Sequence, residues 1–135
     1  MVSAVSPKKQ TPENVLLRWL SSRQELIVAY TNLAGKVKGK EISKPEELER
    51  FGEQMVDYLS EGHFEVYELL QAKSAPVPNL SQIYQTTDIA MAFHDKYFTE
   101  AANCSAWQQL PDDFSTLGEA LTIRFELEDR MISNN

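Results

Sequence analysis

Apolar residues recur every three or four positions through most of this chain, and no stretch alternates apolar with polar residues between hairpin turns. The pattern predicts helices and no strands. The first helix is expected to open at "TPEN", with Thr11 as cap and Pro12 in the first helical position, and to close at Gly35 before "GKVKGKEIS". The second opens at "SKPE", where Ser43 and Glu46 have capping-box spacing, and runs to about Lys73. The prolines of "SAPVPN" then break the chain. A third helix covers about residues 79 to 102. A fourth begins at "PDDF", with Asp112 or Asp113 at its positive end, and runs to about Met131. Four helices with short connections predict an all-α, antiparallel four-helix bundle in a single domain, with residues 1 to 11 expected to be flexible.

At 100° per residue with Leu59 as origin, the second helix places Leu48, Gly52, Met55, Gly62, Val66 and Leu70 within about 60° of one direction. That is the expected core stripe. Gly62 on it reads as a close helix contact rather than a tolerated defect, and His63, at about 40°, is expected to point to the core side. On the opposite side Phe64 falls at about 140°, among Ser60 at about 100°, Glu53 at about 120°, Asp57 at about 160°, Glu68 at about 180° and Glu61 at about 200°. A phenylalanine ringed by carboxylates is either an ordinary surface or helix-covered aromatic, or an anchor inside a charged rim, the layout of a protein-binding hot spot. The pattern alone leaves both open.

Two other helices carry charge inside an apolar stripe. Arg23 shares a face with Leu16, Trp19, Leu20, Ile27 and Tyr30, and Arg124 and Glu128, four residues apart, share one with Leu117, Leu121 and Met131. Buried charges must be paired, so an internal network containing Arg23, Arg124 and Glu128 is expected. Its role is structural rather than catalytic, because no nucleophile or metal-ligand set accompanies it. A snorkelling arginine at the bundle edge is the plainer alternative.

Composition narrows the class. A chain of 135 residues, 42% apolar and 24% charged, has the size and balance of one globular domain. Its one cysteine rules out an internal disulfide, and its start, "MVSAVSPKKQTPEN", has no apolar segment behind the lysines, so a cytoplasmic protein away from membranes is expected. The net charge of −7 is uneven: residues 1 to 44 carry eight Lys or Arg against three Asp or Glu, and residues 45 to 135 carry five against seventeen. Residues 46 to 68 hold eight carboxylates opposed only by Arg50. Such a surface repels nucleic acid and attracts basic partners, especially proteins that themselves bind DNA or RNA.

The sequence carries no enzyme signature. Residues three before His63 and His94 are Ser60 and Met91, so the Glu-x-x-His pairs of di-metal bundles are missing. A zinc site, a phosphate loop and a dinucleotide fingerprint are equally unsupported, and no metal or other cofactor is expected. A histidine phosphotransfer or small-ligand-binding bundle is the alternative class. Against phosphotransfer, His63 is followed by "FEVYE" rather than by the lysine and glycine that such domains place after the phosphorylated histidine.

Three blocks, "RWLSSRQELIVAYTNLAG", "FGEQMVDYLSEGHFEVYE" and "LGEALTIRFELEDRMI", resemble in order the Rsd/AlgQ family of bacterial anti-sigma factors, the regulators of sigma D. They cover about half the chain, and D-Y-L-S-x-G-H-F-x-x-Y-E is the most specific part. The resemblance implies a helical bundle that binds region 4 of the primary sigma factor. That basic domain of helix-turn-helix type reads the −35 promoter element and contacts RNA polymerase. In the family the binding face includes the second-helix block, here Asp57, Ser60 and Phe64, with Glu61 and Glu68 as the charged rim. Other basic regulatory proteins are further candidate partners. Two features depart from the family pattern: the fourth helix stops at "SNN", where the pattern continues for several apolar turns, and "LPDDF" reads as an insertion before it.

Overall fold

The computed structural model describes residues 11–38, 45–73, 80–98 and 106–133. Helix α1 spans Pro12–Lys38 and α2 Pro45–Glu61; a π-helical turn, Gly62–Val66, continues directly into α3, Tyr67–Lys73. Helix α4 spans Leu80–Phe98, and a 3-10 turn, Ala106–Gln109, leads into α5, Leu110–Ser133. Among the described residues there is no strand, and the fold is an all-α bundle. Ser43, the "SAPVPN" break and Cys104 lie outside the described residues.

The helix starts follow local chemistry. Thr11 caps α1, its hydroxyl oxygen accepting the Asn14 amide at 3.1 Å and satisfying a donor that the first turn would otherwise leave orphaned. At the other end α1 runs past Gly35 to Lys38. Gly35 meets nothing within 4 Å, while Val37 beyond it is only 4% exposed. Burying that valine outweighs the cost of about 1 kcal/mol for a helical glycine. The residues of "LPDDF" form the start of α5, with Leu110 and Phe114 buried and Asp113 accepting from Tyr97 at 2.6 Å and from Lys96 at 2.7 Å.

Cross-helix contacts define an antiparallel ring. Arg18 meets Glu61 and Lys36 meets Glu47, so α1 runs against α2. Lys96 meets Asp113 while Thr87 meets Arg124, which sets α4 against α5. Tyr30 bonds the Phe114 carbonyl and Arg23 bonds Asp129, closing α5 onto α1. Packing of α2 on α4 completes the circuit. The core follows the apolar stripes: Leu48, Met55, Leu59, Val66 and Leu70 are buried, as are Trp19, Leu26, Ile83, Leu117 and Leu121 from the other helices.

Two glycines allow the close approach of large rings. A Cβ on Gly52 would stand 2.6 Å from the Phe98 ring, and one on Gly118 would collide with the Tyr30 hydroxyl, which donates to the Phe114 carbonyl at 2.7 Å. Gly118→Ala is therefore expected to lower stability by about 1–3 kcal/mol through loss of that hydrogen bond. Gly35→Ala, with open space around it, is expected to be neutral or to add up to about 1 kcal/mol. Urea unfolding of the two variants checks the contrast.

Candidate partner-binding face and the network beneath it

The outer side of α2 and the π turn carries an acidic surface with one large apolar side chain standing out of it. Phe64 is 71% exposed, and Glu53, Asp57, Ser60, Glu65 and Glu68 are exposed around it or along the same helical segment. Glu61 is set differently. Its side chain is only 16% exposed and accepts from the Arg18 guanidinium at 2.8 Å, so its charge is largely neutralised by α1. Arg18 also approaches Glu65 at 3.7 Å, a longer contact between two half-exposed groups.

The expectation for His63 is corrected. It is exposed rather than turned to the core, its ring edge-on to Phe64 at 4.8 Å between centroids and 5.6 Å from Tyr84 of α4. Phe64, His63 and Tyr84 thus form a short exposed aromatic row across α2 and α4. His94 is half-buried against Phe98 at 5.2 Å. Among the described residues no three His, Cys, Asp or Glu side chains gather as metal donors.

The π turn explains the error. The Tyr67 amide donates to the Gly62 carbonyl, five residues back instead of four, which inserts one extra residue into the helix. In an uninterrupted α-helix Tyr58 and Tyr67, nine residues apart, would face about 180° away from each other; the extra residue reduces the angle to about 80°. Both rings are buried, at 0% and 3% exposure. Trp19 of α1 fits between them, stacked on Tyr58 at 5.0 Å and edge-on to Tyr67 at 6.1 Å. Its indole N–H donates to the Tyr58 carbonyl at 3.2 Å. The indole lies against Gly62, where a Cβ would come within 3.1 Å of it.

Both tyrosines end on one carboxylate. Glu128 is fully buried; Oε1 accepts from the Tyr58 hydroxyl at 2.5 Å and from Arg23 Nη2 at 3.3 Å. Oε2 accepts from the Tyr67 hydroxyl and from Arg124 Nε at 3.1 Å. Arg23 further donates to the Tyr58 hydroxyl oxygen at 3.0 Å and to Asp129 at 2.6 Å. Arg124, 1% exposed, donates to the Tyr67 hydroxyl oxygen at 2.8 Å, to Thr87 at 2.6 Å, to Thr86 at 3.1 Å and to the Ile83 carbonyl at 3.3 Å. The guanidinium of Arg23 also lies 5.0 Å from the Phe125 ring and 5.5 Å from that of Trp19. The two arginines balance Glu128 and Asp129, leaving no net charge in the cluster.

Burial raises the Tyr58 and Tyr67 hydroxyls above the ordinary phenol range, and the Glu128 charge pushes them the same way against the opposing arginines. For Arg23, burial alone would lower the pKa, but Tyr58, Asp129 and Glu128 together outweigh it and hold the group charged. The sequence makes Arg23, Arg124 and Glu128 visible as charges inside apolar stripes. Tyr58, Tyr67, Thr86, Thr87 and Asp129 escape it, because a tyrosine or threonine in a helix carries no mark of what its hydroxyl bonds.

Comparison with known proteins matches residues 2–134 to the family described as "Regulator of RNA polymerase sigma(70) subunit, Rsd/AlgQ". The chain is 37% identical to the regulator of sigma D of Sodalis glossinidius (strain morsitans), over 85% of this chain and 83% of that one. It is 38% identical to that of Yersinia enterocolitica, over 85% and 76%, and 36% identical to that of an Enterobacter species (strain 638), over 86% and 76%. No solved structure gives a significant match. The chain belongs to the Rsd/AlgQ family of regulators of the RNA polymerase sigma(70) subunit.

The buried hydroxyls have a consequence at high pH. Above about pH 10 the unfolded chain releases its tyrosine protons while folded Tyr58 and Tyr67 keep theirs, so stability is expected to fall as pH rises from there, by up to about 1.4 kcal/mol per pH unit for each. Below that range their contribution is constant. The double variant Tyr58→Phe/Tyr67→Phe should show a shallower decline, measured by urea unfolding from about pH 9 to 11.

Proposed function

We propose that this protein is an anti-sigma factor that binds region 4 of the primary sigma factor through the Phe64 face and holds it away from the −35 promoter element and from RNA polymerase. The observation that carries the reading is the exposure of Phe64, at 71%, within an acidic rim that includes Asp57 and Glu68. An isolated exposed phenylalanine gains free energy only when a partner covers it, on the order of 2 kcal/mol for the ring. The carboxylates around it select a basic partner and raise the encounter rate with one. A domain built to grip DNA phosphate presents that chemistry. Bound here, its cations face Asp57 and Glu68 instead of the promoter. Membership of the Rsd/AlgQ family supports the choice of sigma factor among basic partners.

The roles of the rim residues differ in this reading. Asp57, Ser60 and Glu68 lie exposed and contact the partner directly, whereas Glu61 orients Arg18 and limits the repulsion among its acidic neighbours. Phosphotransfer at His63 gains no support from its exposure, since the ring edge rests against Phe64 and Tyr84 and the following residues remain "FEVYE".

Purified protein is expected to co-elute with isolated region 4. Phe64→Ala should weaken the complex by about 2 kcal/mol, or roughly 30-fold, with the helical content unchanged. Asp57→Asn should act mainly by slowing association and flattening its salt dependence, seen by stopped-flow mixing at several salt concentrations. No complex at micromolar concentrations and low salt would sink the proposal.

A further inference from the structure

We propose that Tyr58, Tyr67 and Glu128 are positioning residues for the partner-binding face: by drawing both tyrosine hydroxyls to one buried carboxylate they hold the Gly62–Val66 turn in its π form, and that turn presents Phe64. The inference rests on the reading of the Phe64 face as the docking surface and goes beyond it to residues that no partner can touch.

The geometry carries the argument. Tyr58 lies before the turn and Tyr67 immediately after it, and the two hydroxyls bond opposite oxygens of Glu128. Without the extra residue they would face opposite sides of the helix, and a single carboxylate could not receive both. Conversely, with both bound, the segment between them cannot close to the α pattern, in which the Tyr67 amide would turn from the Gly62 carbonyl to that of His63. Trp19 wedges the same opening from α1, against Gly62 and between the two rings. Phe64 and His63 both lie inside the π turn. Closing it would rotate Phe64 relative to Asp57 and Ser60, which belong to the regular helix before it, and would separate His63 from Tyr84. The interior network therefore sets how the face is arranged.

Tyr67→Phe tests this directly, since it removes one hydroxyl and keeps the ring that packs on Trp19. Tyr97→Phe is the control: it removes the hydroxyl bonded to Asp113, far from the turn, and lets any general loss of stability be matched by urea unfolding. In Tyr67→Phe, amide hydrogen exchange at residues 62–67 is expected to quicken and the affinity for isolated region 4 to fall about tenfold, with neither change in Tyr97→Phe. Unchanged exchange in the turn of Tyr67→Phe, or unchanged affinity when the turn loosens, would overturn the proposal. Phe64→Ala is measured alongside. If that variant binds as the parent does, the docking face itself is wrong and the positioning of binding falls with it, a failure distinct from one in which Phe64 matters and Tyr67 does not.

Discussion

A carboxylate shut away from water must be satisfied by the protein itself, and Glu128 takes two donors on each oxygen from Tyr58, Arg23, Tyr67 and Arg124. Those donors come from α1, α2, α3 and α5, and Arg124 extends the network to α4 through Thr86, Thr87 and the Ile83 carbonyl. Every α-helix of the bundle is therefore tied to one buried charge. An ion pair of this kind contributes little net stability over a well-packed apolar core, but it is intolerant of partial loss, because a missing donor leaves a charge uncompensated. It specifies which register each helix adopts. The π turn is the clearest case, since only with an extra residue can two tyrosines nine positions apart reach the same group.

Much of the bundle is legible in the sequence because apolar spacing reports burial directly. Leu48, Met55, Leu59, Val66 and Leu70 are buried where the wheel puts them, and α2, the π turn and α3 together reach Lys73 as the pattern requires. A uniform 100° per residue is also where the reading stops. It places Tyr67 away from the core and His63 toward it, whereas the structure buries the first and exposes the second. The first helix shows a different limit: Gly35 looks like a stop, but glycine's penalty is small and burial of Val37 overrides it. Propensity marks where a helix is weak, not where it must end.

The same distinction holds for the surface. Composition shows that residues 46 to 68 are acidic, and the wheel shows Phe64 among them. Neither shows that Glu61 is taken up by Arg18, or that His63 and Tyr84 extend the aromatic surface onto α4. These are contacts between helices, and they depend on the packing angle and on the bulge. What the sequence offers is the chemistry of the face; its shape comes from the network below.

The central claim is that the Phe64 face receives region 4 of the primary sigma factor. Its most direct test is titration of isotope-labelled protein with unlabelled region 4, following backbone amide chemical shifts. The account predicts that the largest changes cluster at Asp57, Ser60, Phe64 and Glu68, with smaller ones at Tyr84. Changes centred instead on the apolar groove between α1 and α5, lined by Ile27, Tyr30 and Phe125 among others, would contradict it.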